Sequence, residues 1–239
     1  MTQPYYQDDN VTLYHADCRD VMIPSSDVDL LLTDPPYGIN IRTDNYSRKR
    51  SAVAQANDYH RVYGDDKPFD PQHLLGYKQI VLFGANNFAA KLPPSSAWLV
   101  WDKLNGLSGK RTIGFNDSAD CELAWTNFEN VSRIFRHRWM GLMKESENGQ
   151  RRVHPTQKPI RLMQRIIEWR TEPGDTVYDP YAGSGSTIIG ALMAECKVIA
   201  CEIVEGYCEV IVQRLQSYYQ NGLEESERPT PRPKLVLPS

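Results

Sequence analysis

The stretch from Asp175 to Tyr219 constrains the fold of this chain most. Asp175-Thr176-Val177-Tyr178 reads as a strand, and Ala182-Gly183-Ser184-Gly185-Ser186-Thr187 as a tight glycine turn. Ser186 to Glu195 reads as a helix, and Lys197 to Cys201 as a strand ending at Glu202. Gly206 to Tyr219 reads as a second helix with Tyr207, Val210, Ile211 and Leu215 on one face. A β-α-β-α run of this kind requires parallel strands joined by right-handed crossovers. The predicted class is therefore α/β, with a mostly parallel sheet.

Further strands are predicted N-terminal to this run. Val11-Thr12-Leu13-Tyr14-His15 is one, and Val28-Asp29-Leu30-Leu31-Leu32-Thr33 is another. The second is continuously apolar, the pattern of a parallel strand buried on both faces. Gln79-Ile80-Val81-Leu82-Phe83 and Ala97-Trp98-Leu99-Val100-Trp101 follow. Cys121-Glu122-Leu123-Ala124-Trp125 and Ser132-Arg133-Ile134-Phe135 complete the set and are expected to be antiparallel; a helix is expected from Pro159 to Arg170. With 239 residues the chain suits one domain over 1–222, with insertions near 39–70 and 103–153 and a Glu-, Pro- and Arg-rich tail over 223–239 that is expected to be disordered.

The net charge of −3 does not advertise nucleic-acid binding, but the local balance does. Arg42, Arg48, Lys49, Arg50 and Arg61 lie in one polar segment; Arg133, Arg136, Arg138, Lys144, Arg151 and Arg152 lie in another. Two basic clusters flanking one site suit tracking of phosphates, although solvated loops share the composition. Tyr46, Tyr59 and Tyr63 interleave with the first cluster, which suits an unstacked strand or an exposed loop alike. The 5 cysteines form no C-x-x-C pair, so free thiols, buried at Cys196, Cys201 and Cys208, are expected rather than a metal site. No apolar run is long enough for a membrane span, and Met1-Thr2-Gln3-Pro4-Tyr5 is not the start of a signal peptide, so a cytoplasmic protein is expected.

Two motifs carry chemistry. In the later one, Asp179-Pro180-Tyr181 leads into the glycine turn, whose backbone a ligand can approach closely. The spacing is neither G-x-G-x-x-G nor a P-loop. Glu202, at the end of the next strand, is placed to accept hydrogen bonds from both hydroxyls of a ribose. A plain strand-to-helix connection would also account for the glycines.

The earlier motif, Asp34-Pro35-Pro36-Tyr37-Gly38, follows the buried strand. An exocyclic base amine is a poor nucleophile because its lone pair is delocalised into the ring. Two acceptors aimed at its two N–H groups draw the nitrogen toward tetrahedral geometry. The Asp34 carboxylate and the Pro35 carbonyl suit that task, Pro36 stiffens the turn, and Tyr37 offers a ring for stacking. Such a pocket reaches only a base flipped out of the duplex. A β-turn capping a strand is the plainer reading.

Together these motifs resemble the amino-group DNA methyltransferases that use S-adenosylmethionine, in the β-class order with the catalytic motif first. The resemblance covers residues 11–219 and implies a Rossmann-like methyltransferase fold, permuted, with one antiparallel edge. It implies cofactor contacts at Asp17 and Cys18, in His15-Ala16-Asp17-Cys18, with Asp17 on the adenine. It implies a segment, His154-Pro155-Thr156-Gln157-Lys158-Pro159, closing over the methionine end, with Lys158 on its carboxylate. Asp179, Pro180, Tyr181, Ala182, Gly183, Ser184, Gly185, Ser186 and Thr187 match the family's glycine motif; Glu202 matches the ribose acid, and Ile203 would pack on the adenine. The compact middle, with Phe83-Gly84-Ala85-Asn86-Asn87 and Trp101-Asp102-Lys103, is similar to phage-borne members. Asp at position 34 favours adenine N6 within the family; cytosine N4, or a non-catalytic nucleic-acid-binding module, are the alternatives. The implied partner is duplex DNA, contacted by Arg42, Arg48, Lys49 and Arg50, and relatives suggest a homodimer. Asn86 and Asn87 suit either the base pocket or helix capping, and His60 and His137 are expected at the surface.

Overall fold

The computed structural model describes residues 2–40, 62–105, 119–128, 131–140, 143–147, 153–154 and 156–221. The strands are β1 (Tyr6–Gln7), β2 (Val11–His15), β3 (Leu30–Thr33), β4 (Ile80–Phe83), β5 (Trp98–Asp102), β6 (Cys121–Thr126) and β7 (Arg133–Arg136). They continue as β8 (Trp139–Met140), β9 (Met143–Lys144), β10 (Thr176–Asp179) and β11 (Lys197–Glu202); the helices are α1 (Ile160–Arg170), α2 (Ser186–Met193) and α3 (Glu205–Asn221). Nine strands form one sheet in the order β1-β2-β11-β10-β3-β4-β6-β5-β7, and β8 and β9 form a separate hairpin.

The central strands are buried on both faces, as their uninterrupted apolar runs require. Alternate residues feed two cores. Leu30, Leu32, Val81, Phe83 and Val177 pack with residues of α1, α2 and α3 on one face. Leu31, Ile80, Leu82 and Tyr178 pack on the other face with Phe69, Leu74, Phe88 and Trp125. Short 3-10 turns, including Gln72–Leu74 and Ala85–Asn87, carry part of that second face.

Strands β2, β11, β10, β3 and β4 are mutually parallel. Their carboxyl ends line up in that order, which sets Asp17, Glu202, Asp179 and Asp34 along one rim of the sheet. The pairing of β10 with β3, Val177 opposite Leu30, is the step that matters for function. It brings two motifs far apart in sequence onto adjacent strand ends, where open α/β sheets bind ligands.

The sheet is mostly parallel, with its antiparallel part beyond β4. There β6 runs antiparallel to both β4 and β5. The segment read as Ser132–Phe135 differs from expectation: as β7 it lies parallel to β5, with Leu99 opposite Arg133. A short strand's own residues do not encode the direction of its neighbour. At the opposite edge β1 adds a brief antiparallel pair with β2. The helix expected to reach Glu195 ends at Met193, because Glu195 takes a left-handed conformation with φ 59°. Cys196, Cys201 and Cys208 are buried free thiols, as expected.

His137, expected at the surface, is buried. Its ring bonds Ser146 at 3.0 Å, and burial pushes its pKa down to about 4. Its charged neighbours in sequence concealed a position beneath Trp101, whose indole N–H donates to the His137 carbonyl at 2.9 Å. His60, Tyr46, Tyr59, Arg61, Arg151, Arg152 and the 223–239 tail lie outside the described residues. Among the described residues no helix is long and apolar enough to cross a membrane.

Candidate active site

The turn after β3 is built by glycines and one buried carboxylate. Gly38 has φ 76°, and a Cβ there would lie 2.5 Å from the Lys67 carbonyl oxygen, so no side chain fits. Asp65 accepts the Gly38 and Ile39 N–H groups at 2.8 and 3.2 Å and ties the turn to the segment that follows residue 62. Tyr37 packs against Gly84, where a Cβ would come within 1.9 Å of the ring. The Tyr37 hydroxyl donates to one oxygen of Asp34.

The other Asp34 oxygen accepts from the Lys158 ammonium. Lys158 also donates to the Tyr37 oxygen at 3.3 Å and stands 3.1 Å from Glu122 as an ion pair. Lys103 pairs with the other Glu122 oxygen at 2.5 Å. Burial favours neutral Lys158, but Asp34 and Glu122 outweigh it and hold the ammonium protonated well above the usual lysine range. Burial opposes ionisation of Glu122 too, yet Lys158 and Lys103 hold it below the usual carboxylate range. At Asp34 burial pushes the carboxyl upward against the pull of Lys158.

The glycine turn begins one strand away. Asp179 is buried and accepts from the Thr33 hydroxyl at 2.6 Å and the Tyr181 N–H at 3.1 Å. Thr33 immediately precedes Asp34, so this bond locks the two motifs together. Burial raises the Asp179 pKa to about 6 against those hydrogen bonds. Gly183 and Gly185 have φ 53° and 79°, and a Cβ on Gly185 would lie 2.9 Å from Ile211 of α3. Glu202 accepts the Gly183 N–H at 2.7 Å and the Val204 N–H at 2.8 Å. One lone-pair position on each oxygen remains for a further donor.

Residues 153–154 and 156–158 form the third wall. His154 packs against Tyr207 with ring centroids 4.6 Å apart and the rings tilted by 59°, and its Nδ1 accepts from the Thr156 N–H at 3.2 Å. Burial, with Lys158 nearby, lowers its pKa to about 4, so the ring is neutral. Pro159 caps α1 in an extended conformation. Glu147 is buried with its backbone at φ 54°; it accepts from the Ile160 N–H at 3.0 Å and the Gln157 amide at 3.1 Å. Arg214 of α3 stands 3.7 Å from Glu147 and donates to the Ser184 carbonyl, so one carboxylate and one guanidinium fix the segment to the glycine turn.

These walls enclose one cleft. Asp34, Thr156, Gln157, Lys158, Asp179, Tyr181, Ala182, Gly183, Ser184, Ser186 and Thr187 line it, with His154 and Met163. Pro35, Pro36, Tyr37, Pro159, Pro180 and Gly185 back it within the same turns. Asp17 is at the rim but spends its carboxylate on Arg19. Cys18 is buried beside His73, whose ring bonds the Tyr181 hydroxyl at 3.0 Å. Ile203 is half-buried, and its carbonyl bonds the His15 ring at 3.2 Å. Asn87 donates its side-chain N–H to the Gly84 carbonyl at 2.9 Å, a turn-capping role, while Asn86 is exposed. Arg42, Arg48, Lys49 and Arg50 lie outside the described residues.

Residues 97–213 match the N6/N4 DNA methylase family. The Type II methyltransferase M2.LlaDCHI of Lactococcus lactis subsp. cremoris is 25% identical over 93% of this chain and 96% of its own length. M2.DpnII of Streptococcus pneumoniae, also a Type II methyltransferase, is 24% identical over 91% and 94% of the two chains. These similarities support S-adenosylmethionine-dependent methyl transfer to an amino group of DNA. The methyltransferase fold is shared with the cytosine-N4-specific PvuII DNA methyltransferase, at a TM-score of 0.57 and 16% identity over 93% of this chain and 91% of that one.

The cleft of this methyltransferase fits its cofactor. The Ser186 hydroxyl, in the first turn of α2, is buried without a hydrogen-bond partner among the described residues. The two positive-φ glycines bare the backbone beside it, and Glu202 stands one strand away. Burial pushes the Glu202 pKa up to about 7. If Glu202 holds the cofactor's ribose, only its ionised carboxylate accepts fully from the hydroxyls, and cofactor affinity would rise as pH rises through 7. Glu202→Gln is expected to weaken binding by about tenfold, the worth of a charge-assisted hydrogen bond, and to flatten this dependence. Calorimetric titration between pH 6 and 8 checks it; an unchanged slope in the variant would assign the pH dependence elsewhere.

Glu122, Lys103, Glu147, Arg214 and His154 were not picked out as site residues from sequence. His154 carried a signal as the first residue of the segment resembling the family's closing motif, and Lys103 as the last of Trp101-Asp102-Lys103, with no role attached. Lys158, expected on the cofactor's carboxylate, has Asp34 and Glu122 as its partners.

Proposed function

We propose that this methyltransferase modifies the N6 amine of adenine in DNA, with the target base flipped out of the duplex. The observation that carries the reading is that Asp34 opens onto the same cleft as Gly183, Ser184 and Ser186. When bound there, S-adenosylmethionine supplies a methyl group on a sulfonium, a strong electrophile. The chain's own residues supply orientation and electrostatics. The Asp34 carboxylate and the Pro35 carbonyl accept the two amine N–H groups and turn the nitrogen lone pair toward the methyl. As the nitrogen takes up the methyl group and the methyl's bond to sulfur breaks, leaving a neutral thioether, positive charge develops on the nitrogen, and the carboxylate would stabilise it. The surplus proton then leaves for Asp34, whose burial-raised pKa suits it as acceptor, or for water.

The preference for adenine rests on aspartate at position 34. Both base amines present the same pair of donors, so product analysis decides. Purified protein, unmodified genomic DNA and methyl-labelled S-adenosylmethionine are incubated and the DNA digested to nucleosides. Label in N6-methyladenine is the expected result. Label in N4-methylcytosine would replace the base while leaving the cradle intact, and the absence of labelled nucleoside would remove the reading.

DNA binding by Arg42, Arg48, Lys49 and Arg50 remains part of this proposal, as does assembly as a homodimer. Arg48→Ala with Lys49→Ala is expected to weaken binding and to lower the salt slope by about 0.9 for each phosphate that is no longer neutralised. Binding isotherms from low to moderate salt measure it. An unchanged slope would take these side chains out of the interface.

A further inference from the structure

We propose that Glu122 is a positioning residue for methyl transfer: it shares the Lys158 ammonium with Asp34, so that the Asp34 carboxylate keeps the capacity to accept the target amine. The inference rests on the role of Asp34 proposed above. Four side chains alternate in charge from β5 to the catalytic turn: Lys103, Glu122, Lys158 and Asp34. Lys158 is 5% exposed, so water does not compete for its N–H groups.

A buried cluster of this kind adds little net stability, because desolvation offsets attraction. Its consequence is felt at Asp34. That carboxylate already accepts from the Tyr37 hydroxyl and from Lys158. Paired with an ammonium alone, it would be neutralised and poor at stabilising positive charge on the amine. Glu122, 3.1 Å from the same ammonium, supplies a second negative charge, on an oxygen that has no hydrogen-bond partner among the described residues. It competes with Asp34 for Lys158 and keeps the Asp34–Lys158–Glu122 group net negative where the amine becomes cationic. Lys103 tempers the effect from the far side of Glu122. The other ionisable groups facing the pair are Tyr37 on the turn itself, Asp179 at the end of β10 and neutral His154 beside Lys158.

Single-turnover methyl transfer across pH, measured in Glu122→Gln, Glu122→Asp and Lys103→Met, tests this. Glu122→Gln is expected to lower the plateau rate about tenfold or more while cofactor and DNA affinities stay within about twofold. It is also expected to move the acid limb of the profile to lower pH, because loss of a neighbouring negative charge makes Asp34 easier to ionise. Glu122→Asp should recover most of the rate. Lys103→Met should move the limb the other way, since the charge of Glu122 is then unopposed. A wild-type profile in Glu122→Gln, or a slower rate with an unmoved acid limb, overturns the proposal. If Glu122→Gln does not fold, the Lys103→Met limb decides: a rise supports the proposal and no movement overturns it. Asp34→Asn, run alongside, separates the two claims. An active Asp34→Asn enzyme refutes the role of Asp34, whereas an inactive one beside an unperturbed Glu122→Gln refutes only the role of Glu122.

Discussion

Asp34→Ala is expected to cut single-turnover methyl transfer by about 10³-fold, while S-adenosylmethionine affinity changes by no more than about threefold. The split follows from where Asp34 sits. Its oxygens face Tyr37 and Lys158, on the substrate side of the cleft, while the glycine turn and Glu202 lie one and two strands away. Removing the carboxylate deletes an acceptor for the amine and the charge opposite its developing cation, and it leaves the cofactor turn intact. The alanine variant also strips Lys158 of a buried partner, which costs stability. Asp34→Asn keeps the shape and one acceptor oxygen, and is expected to fold normally yet remain slow. A variant with a near-normal rate would show that Asp34 does not act on the amine.

Gly84→Ala is expected to cost about 10²-fold in rate, the penalty for displacing a positioned group by an ångström or so. Gly84 is left-handed at φ 66°, and its missing Cβ is the space that the Tyr37 ring fills, at 1.9 Å. A methyl group there must push the ring away, and the ring carries the hydroxyl that holds Asp34. The strain of alanine at positive φ and the clash together are expected to lower stability by about 1–3 kcal/mol. Thermal melting with single-turnover assay, each with saturating cofactor, separates lost rate from lost folded protein. A fully active Gly84→Ala enzyme would mean that the ring position is immaterial.

These two residues differ in how visible they were beforehand. Asp34 belongs to a local motif after an apolar strand, and the chemistry of such a turn is readable from five adjacent residues. The same holds for Gly183–Thr187 and Glu202, because strand, turn, helix and strand follow one another in sequence. Gly84 reads only as a glycine after a strand; its purpose depends on Tyr37, which reaches it across β3 and β4. Glu122 looks like an ordinary polar residue in an edge-like strand, and its partner Lys158 comes from a distant segment. Buried ion clusters of this kind are set by tertiary packing and leave no periodic trace. Glu147 and His137 were hidden for a related reason, since charged neighbours gave their surroundings the composition of a surface loop. The direction of β7 was misread because pairing direction belongs to the neighbouring strand, not to the residues of β7 itself. The joining of the two motifs into one site followed from parallel pairing of β3 with β10, which the inverted motif order implies only once a common sheet is assumed.

A crystal structure of the protein with S-adenosylmethionine would examine that joining most directly. The methionine end is predicted to lie between residues 156–158 and 179–187, with the sulfonium methyl facing Asp34 across a gap that admits an amine nitrogen at about 3–3.5 Å from the methyl. A cofactor seated on the glycine turn with its methyl directed away from Asp34 would contradict a shared cleft and separate the two motifs in function.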